Sequence, residues 1–254
     1  TNIDTTIFDT GTDDTNADTD YLDSDTSNSD NGTDGTYTSD TDADLDEAVL
    51  GTVYSAFGFQ GQKCSACSRV IVIETVYDTF VERLAASIES LVVGPADDPG
   101  TNVGPVIDEQ AQQKILSYID LGKKEGREIA SLNVSKQAES GFYVPPTAFA
   151  DVKPSSRLSQ EEIFGPVAPI FKFSTEDEVI ALSNATEFGL AAYFYARDLG
   201  RVFRVAEGLE YGMVCINDGI LSTETAPSSS SSLEAARATG FTTGRWPACG
   251  AGCA

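Results

Sequence analysis

Gly58-Phe59-Gln60-Gly61-Gln62-Lys63-Cys64-Ser65-Ala66-Cys67-Ser68-Arg69 is the stretch on which the reading of this chain turns. Two glycines punctuate its first half and mark a turn. A β-branched run from Val70 to Ile73 follows at once and reads as a strand. Cys64 therefore sits on a tight loop between packed elements, with a lysine directly before it and small or hydroxyl residues directly after. That setting presents a thiol and leaves backbone amides free to face a developing oxyanion. A buried structural cysteine requires none of it, so the loop marks Cys64 as a candidate nucleophile.

The chain has no histidine, which excludes Ser-His-Asp and Cys-His catalysis. Any base must be a carboxylate, a lysine or water. Cys67, three residues on, leaves open a dithiol redox pair or half of a metal site. A zinc site would have to borrow Cys249 and Cys253 from the distant C-terminal end, and no metal is expected. Five cysteines, an odd number and widely spread, do not form a disulfide framework and indicate a reducing, cytoplasmic compartment, or the mitochondrial matrix in a eukaryote.

Outward from the loop, Asp44 and Glu47 open a helix, with Leu45, Val49, Val53 and Phe57 at helical spacing up to Gly58. The strand Val70–Ile73 leads to an amphipathic helix over Val76–Leu91. Asp108 caps another helix in which Ala111, Ile115, Tyr118 and Ile119 face inward, ended by Gly122 or Gly126. Strand-like runs at Val167–Phe173, Gly189–Ala196 and Gly212–Ile216 alternate with helices over Thr175–Asn184 and Leu199–Leu209. Ser174 is the expected cap of the first of these. The alternation predicts βαβ units in an α/β fold with a mostly parallel sheet.

Fifteen of the chain's 40 acids and none of its 16 bases fall in residues 1–48, leaving residues 49–254 with about nine net negative charges. The overall charge of −24 thus describes the N-terminal tract more than the body. It argues against nucleic acid and anionic membranes as partners. Residues 1–40, built from Thr, Asp, Asn, Ser and Gly, are expected to be disordered. Alternating Asp40, Asp42, Asp44 and Asp46 suggest calcium, but Leu45 and Gly51 occupy the places where an EF-hand needs glycine and glutamate. Residues 228–254 read as a low-complexity tail. No membrane span or secretory signal is expected.

Two further segments carry candidate chemistry. Gln160-Glu161-Glu162-Ile163-Phe164-Gly165-Pro166-Val167 places paired acids and an aromatic before a turn and a strand, where open α/β sheets build their clefts. In Gly212-Met213-Val214-Cys215-Ile216-Asn217 the glycine serves packing. Asn217 is expected to cap or bond backbone, with a functional role still open for it alone.

GFQGQKCSACSR resembles the active-cysteine segment of aldehyde dehydrogenases, most closely the L-glutamate γ-semialdehyde (1-pyrroline-5-carboxylate) branch. Asp42–Asp46, Gly104–Ile107 and Ile119–Gly126 look like that branch too. EEIFGPV at 161–167, NATEFGLAAYFYARD at 184–198 and GMVCINDGILSTETAP at 212–227 are also similar to superfamily motifs, in wording closer to succinate-semialdehyde dehydrogenases. The resemblance covers about residues 41–227 and implies a three-layer αβα catalytic domain.

It implies that Cys64 is the nucleophile of an NAD-dependent aldehyde oxidation, with NADP as the alternative cofactor. The thiolate attacks the aldehyde carbon, a hydride leaves for the cofactor, and the resulting thioester is hydrolysed. The Cys64 amide would serve the oxyanion, Glu162 the nicotinamide ribose and Phe164 the nicotinamide. Ser65 would help bind the carboxylate of glutamate semialdehyde, an intermediate of proline catabolism, and Ser222 matches an anchoring serine of the succinate-semialdehyde branch. That branch places an arginine six residues before the cysteine, where this chain has Gly58.

The family's general base is a glutamate 34 residues before the cysteine, where this chain has Asp30. The family's dinucleotide-binding half, its Pro-Phe-Gly-Gly motif and its homo-oligomer strand have no counterpart in the sequence. Little dehydrogenase turnover is expected of this chain alone, while esterase-like acylation of Cys64 remains. An inactive fragment that keeps the fold, and an acidic cation-binding protein, are the other readings.

Overall fold

A computed structural model describes residues 4–7, as backbone, and residues 43–219. In chain order the elements are β1 (Asp4–Ile7), α1 (Leu45–Phe57), a turn of 3-10 helix (Gly58–Gly61), β2 (Arg69–Ile73), α2 (Tyr77–Glu89), α3 (Glu109–Glu125), β3 (Arg127–Ser131) and α4 (Ser135–Ala138). There follow β4 (Thr147–Ala150), α5 (Arg157–Gln160), β5 (Val167–Phe173), α6 (Glu176–Asn184), β6 (Ala191–Tyr195), α7 (Leu199–Gly208) and β7 (Met213–Ile216).

The strands make one sheet in the order β3-β4-β5-β2-β1-β6-β7. Every neighbouring pair is parallel except β3 with β4. Strand residues alternate between two helical layers, as the pleat requires. Val70, Val72, Ala168 and Ile170 pack with α1 and α2, whereas Ile71, Phe171, Phe173 and Phe194 pack with α6 and α7. Phe149 and Val167 meet Ile115 and Ile119 of α3 on the second face as well. The architecture is the expected three-layer αβα sandwich.

Residues 4–7 correct the expectation that all of residues 1–40 is disordered. They form β1 at the centre of the sheet, in parallel register with β2 on one side and β6 on the other. Composition reflects side chains only. A strand placed between two parallel strands gains a backbone ladder on both edges, and Thr5, Thr6 and Ile7 are β-branched. Residues 8–42 and 220–254, which include the expected tail and Ser222, Cys249 and Cys253, lie outside the described residues.

The expected helices form close to their anticipated bounds. The Asp44 carboxylate accepts from the Asp46 and Glu47 amides at 3.1 and 3.3 Å and caps α1, and it also meets Arg197 at 2.8 Å. Asp44 is thus occupied as a helix cap. Asp108 caps α3 through the Ala111 amide at 2.7 Å, and the helix ends at Gly126, not at Gly122. Gly122 lies inside α3 because the Phe149 ring packs there, and a Cβ would come within 2.6 Å of its Cζ. Thr175, not Ser174, caps α6: its hydroxyl accepts from the Glu178 amide, while Glu178 reaches back to the Ser174 amide at 2.8 Å. Strands β3 and β4 had no expectation. β3 is largely exposed and carries Arg127 and Glu128, so it shows no hydrophobic run.

Candidate active site

The Cys64 loop begins with strained backbone. Phe59, Gln60 and Gly61 occupy the left-handed region in succession, with φ of 50°, 59° and 65°. For the two non-glycine residues this costs roughly 1–2 kcal/mol each. Side chains around the loop hold it. The Gln60 carboxamide, oriented to satisfy both partners, donates to the Phe59 carbonyl at 3.0 Å and accepts from the Gly104 amide at 2.8 Å. The Gln62 side-chain Oε1 accepts from the Ile107 amide at 2.9 Å. Lys63 places its ammonium 5.5 Å from the Phe59 ring centroid. Sequence reading missed both glutamines, since nothing local announces a partner some forty residues away in the chain.

Beyond this reversal, Lys63 to Ala66 form a hydrogen-bonded turn, closed by the Ala66 amide donating to the Lys63 carbonyl at 3.0 Å. Cys64 and Ser65 are its two corner residues. Cys64 is exposed, and its backbone N–H donates to no atom among the described residues. Ser65 is buried, and its carbonyl accepts from the Tyr193 hydroxyl at 3.0 Å. The Cys67 amide donates to the Ser55 carbonyl at 3.1 Å and meets its hydroxyl at 3.2 Å, tying the turn's exit to α1. The Cys67 thiol is buried and faces the Arg69 carbonyl at 3.4 Å. Thus Cys64 faces solvent while Cys67 belongs to the core. Among the described residues no three His, Cys, Asp or Glu side chains cluster as metal ligands.

Backbone packing brings the second candidate segment against the first. A Cβ on Gly61 would overlap the Gly165 carbonyl, and a Cβ on Gly165 would lie 2.5 Å from Ile115 of α3. Glu162 and Phe164 therefore stand on the same short loop, just before a residue in direct contact with the Cys64 loop. Phe164 is 38% exposed and adopts φ 56°, a conformation a bulky side chain avoids without a reason.

The paired acids divide their work. Glu161 takes a two-pronged hydrogen bond from Arg157, at 2.7 and 2.9 Å, and a third from the Tyr118 hydroxyl at 2.7 Å. Arg157 and then Tyr118 hold its carboxyl below the usual carboxylate range. The i,i+4 spacing of Arg157 and Glu161 is the sequence signal that could have revealed this pair. Glu162 lies one residue nearer the nucleophile loop and is half-buried.

A cavity of about 350 Å³ opens beside the cysteine, lined in part by Tyr54, Gly58, Lys63, Ser65, Asn102 and Gly219. Lys63 and Ser65 are the two chain neighbours of Cys64, so the expected substrate residue Ser65 stands in the cavity wall. Gly58 stands there too, and a Cβ on it would meet nothing within 4 Å.

Asn217 does bond backbone. Its carboxamide accepts from the Ala196 amide at 3.0 Å and donates to the Ala196 carbonyl at 2.9 Å. Its neighbour Cys215 has its thiol pushed up to about 11 by burial and then by Asp218, which makes it a poor nucleophile beside an exposed thiol. Ser222 and Asp30 fall outside the described residues.

The model of the aldehyde dehydrogenase family matches residues 35–229. The glutarate-semialdehyde dehydrogenase of Pseudomonas putida is 48% identical over 186 residues, covering 73% of this chain and 38% of that protein. The 1-pyrroline-5-carboxylate dehydrogenase of Bacillus subtilis is 42% identical over 184 residues, covering 72% of this chain and 35% of that protein. Among solved structures, a succinate-semialdehyde dehydrogenase from Burkholderia pseudomallei superposes with a TM-score of 0.67 at 45% identity, over 73% of this chain and 38% of that one. The chain thus spans well under half the length of the relatives it matches. By its fold, its motifs and these relatives, the chain belongs to the aldehyde dehydrogenase family.

Proposed function

We propose that this chain supplies the nucleophile-bearing part of an NAD(P)-dependent dehydrogenase that oxidises a semialdehyde carrying a carboxylate at its far end. The observation that carries this reading is Cys64, exposed at the corner of a tight turn with its own amide unpartnered among the described residues. The thiolate attacks the aldehyde carbon, forming a carbon–sulfur bond and an alkoxide that the Cys64 N–H stabilises. Glu162 and Phe164 suit the nicotinamide end of NAD(P): both stand on the loop that packs against the cysteine loop, the acid half-buried and the aromatic face partly open. When bound, the cofactor accepts a hydride from the substrate carbon. Water then hydrolyses the thioester on Cys64, releasing the acid and regenerating the thiol.

L-Glutamate γ-semialdehyde is the leading substrate. Ser65 in the cavity wall offers a hydroxyl to its carboxylate, and Gly58 leaves room where an arginine would shorten the cavity. Succinate or glutarate semialdehyde is the second reading, favoured by the higher identity to the Pseudomonas putida protein. Protection of Cys64 from alkylation tests the substrate class without cofactor turnover. Each carboxylated semialdehyde should slow Cys64 alkylation saturably, and glutamate semialdehyde at the lowest concentration. Equal protection by propanal would refute carboxylate recognition.

A further inference from the structure

The geometry points to Tyr193, on β6, as a positioning residue that sets the direction of the Cys64 amide through two peptide planes joined by a hydrogen bond. This inference rests on the reading of Cys64 as nucleophile. A peptide group is planar and trans, so its C=O and N–H point in opposite directions and fixing one fixes the other. The Tyr193 hydroxyl donates to the Ser65 carbonyl at 3.0 Å. The same peptide carries the Ala66 N–H, which donates to the Lys63 carbonyl at 3.0 Å. The Lys63 carbonyl in turn shares its plane with the Cys64 N–H, the group that would meet the alkoxide. One side-chain hydroxyl thereby orients, two peptides away, the donor on which the oxyanion depends.

Tyr193 suits this task. It is 1% exposed, and its strand is held by β1 on one edge and β7 on the other. The Ser65 carbonyl is turned to that hydroxyl from a buried residue, so loss of the hydroxyl would leave a buried acceptor without its donor. The turn would then relieve that carbonyl by rotating its peptide, and the rotation passes through Ala66 and Lys63 to Cys64. Hydrogen bonds in series also polarise one another, which strengthens the terminal donor.

The test compares two reactions at the same sulfur in the full chain. Acylation by p-nitrophenyl acetate passes through an oxyanion, while alkylation by iodoacetamide displaces iodide and forms none. In Tyr193→Phe, Cys64 acylation should fall about tenfold, less than the loss of an oxyanion donor outright, while Cys64 alkylation stays within about twofold of wild type. Should Tyr193→Phe fail to fold, Tyr193→His retains a ring N–H donor and should show a partial, several-fold loss of acylation alone. A parallel fall of both reactions, or no fall in either, overturns the positioning role and leaves Cys64 as nucleophile. Wild-type chain acylated no faster than Cys64→Ala overturns the reading of Cys64, and this inference with it.

Discussion

The α-carbon of Gly61 lies so close to the Gly165 carbonyl that no side chain fits between them. This contact is the seam between the Cys64 loop and the loop of Glu162 and Phe164. Gly61 also needs its left-handed φ of 65° to finish the reversal before Cys64. On the far side, Ile115 of α3 backs Gly165. A core helix, the acid loop and the cysteine loop are therefore stacked in that order, without spare volume.

Replacing Gly61 should disturb both loops at once. Gly61→Ala faces a disfavoured backbone region and an overlap with fixed backbone, so a destabilisation of about 2–4 kcal/mol is expected. Urea unfolding measures it. Cys64 acylation in the folded fraction should fall as well, because the loop must shift to admit the methyl group. A stability within about 0.5 kcal/mol of wild type would mean that the seam is loose.

The two adjacent acids should separate cleanly on substitution. Glu161→Gln loses the charge that Arg157 and Tyr118 engage, and should shift the thermal midpoint while leaving cofactor affinity unchanged. Glu162→Gln should weaken NAD(P) binding about tenfold or more. Equal cofactor effects from both would show that the Arg157 pair is not what distinguishes them.

Acid sensitivity should centre on the link between α6 and α7. Arg204 hydrogen-bonds both oxygens of Glu176, at 2.6 and 2.9 Å, and Arg201 adds a contact at 3.3 Å. The Arg204 hydrogen bonds hold the Glu176 carboxyl below the usual range, against the opposing effect of burial. The unfolded chain therefore binds this proton more readily. The stabilisation is present above the ordinary glutamate value of about 4.3 and is lost as pH falls through the lower folded value. Glu176→Gln should lower the urea midpoint at neutral pH, and this deficit should shrink steadily as pH falls below about 4. A deficit that persists undiminished in acid would contradict this.

Much of the fold was legible because the helices carry full apolar faces: Phe80, Leu84 and Ile88 of α2 are wholly buried, as their spacing demanded. Strand β1 was not legible, since four residues with little apolar surface become a central strand only when β2 and β6 stand on either side. At the site, the cysteine turn could be read from its glycines and its neighbours. Glu162 was singled out by its place in the motif, whereas the Tyr118 hydroxyl on Glu161 was hidden, because that partner lies on α3, far away in the chain. Tyr193 was likewise hidden. In sequence it is one more aromatic of a buried strand, and its task appears only with the Ser65 carbonyl at its hydroxyl.

Gly58 offers a test of substrate choice. Its φ of −57° is open to any residue, and its Cβ direction is empty. Gly58→Arg should therefore fold normally and place a cation in the cavity. The preference for succinate over glutamate semialdehyde, read as the ratio of protecting concentrations at Cys64, should rise about tenfold, the scale of one added charge-assisted hydrogen bond. An unchanged ratio would show that the far carboxylate does not reach this wall.

The most direct test of the central claim is peptide-mapped mass spectrometry of the chain after brief exposure to p-nitrophenyl acetate. One acetyl group should appear, on Cys64, absent in Cys64→Ala, with the buried Cys67 unmodified. Acetylation that falls on Cys67 or Cys215 instead, or that persists in Cys64→Ala, would contradict it.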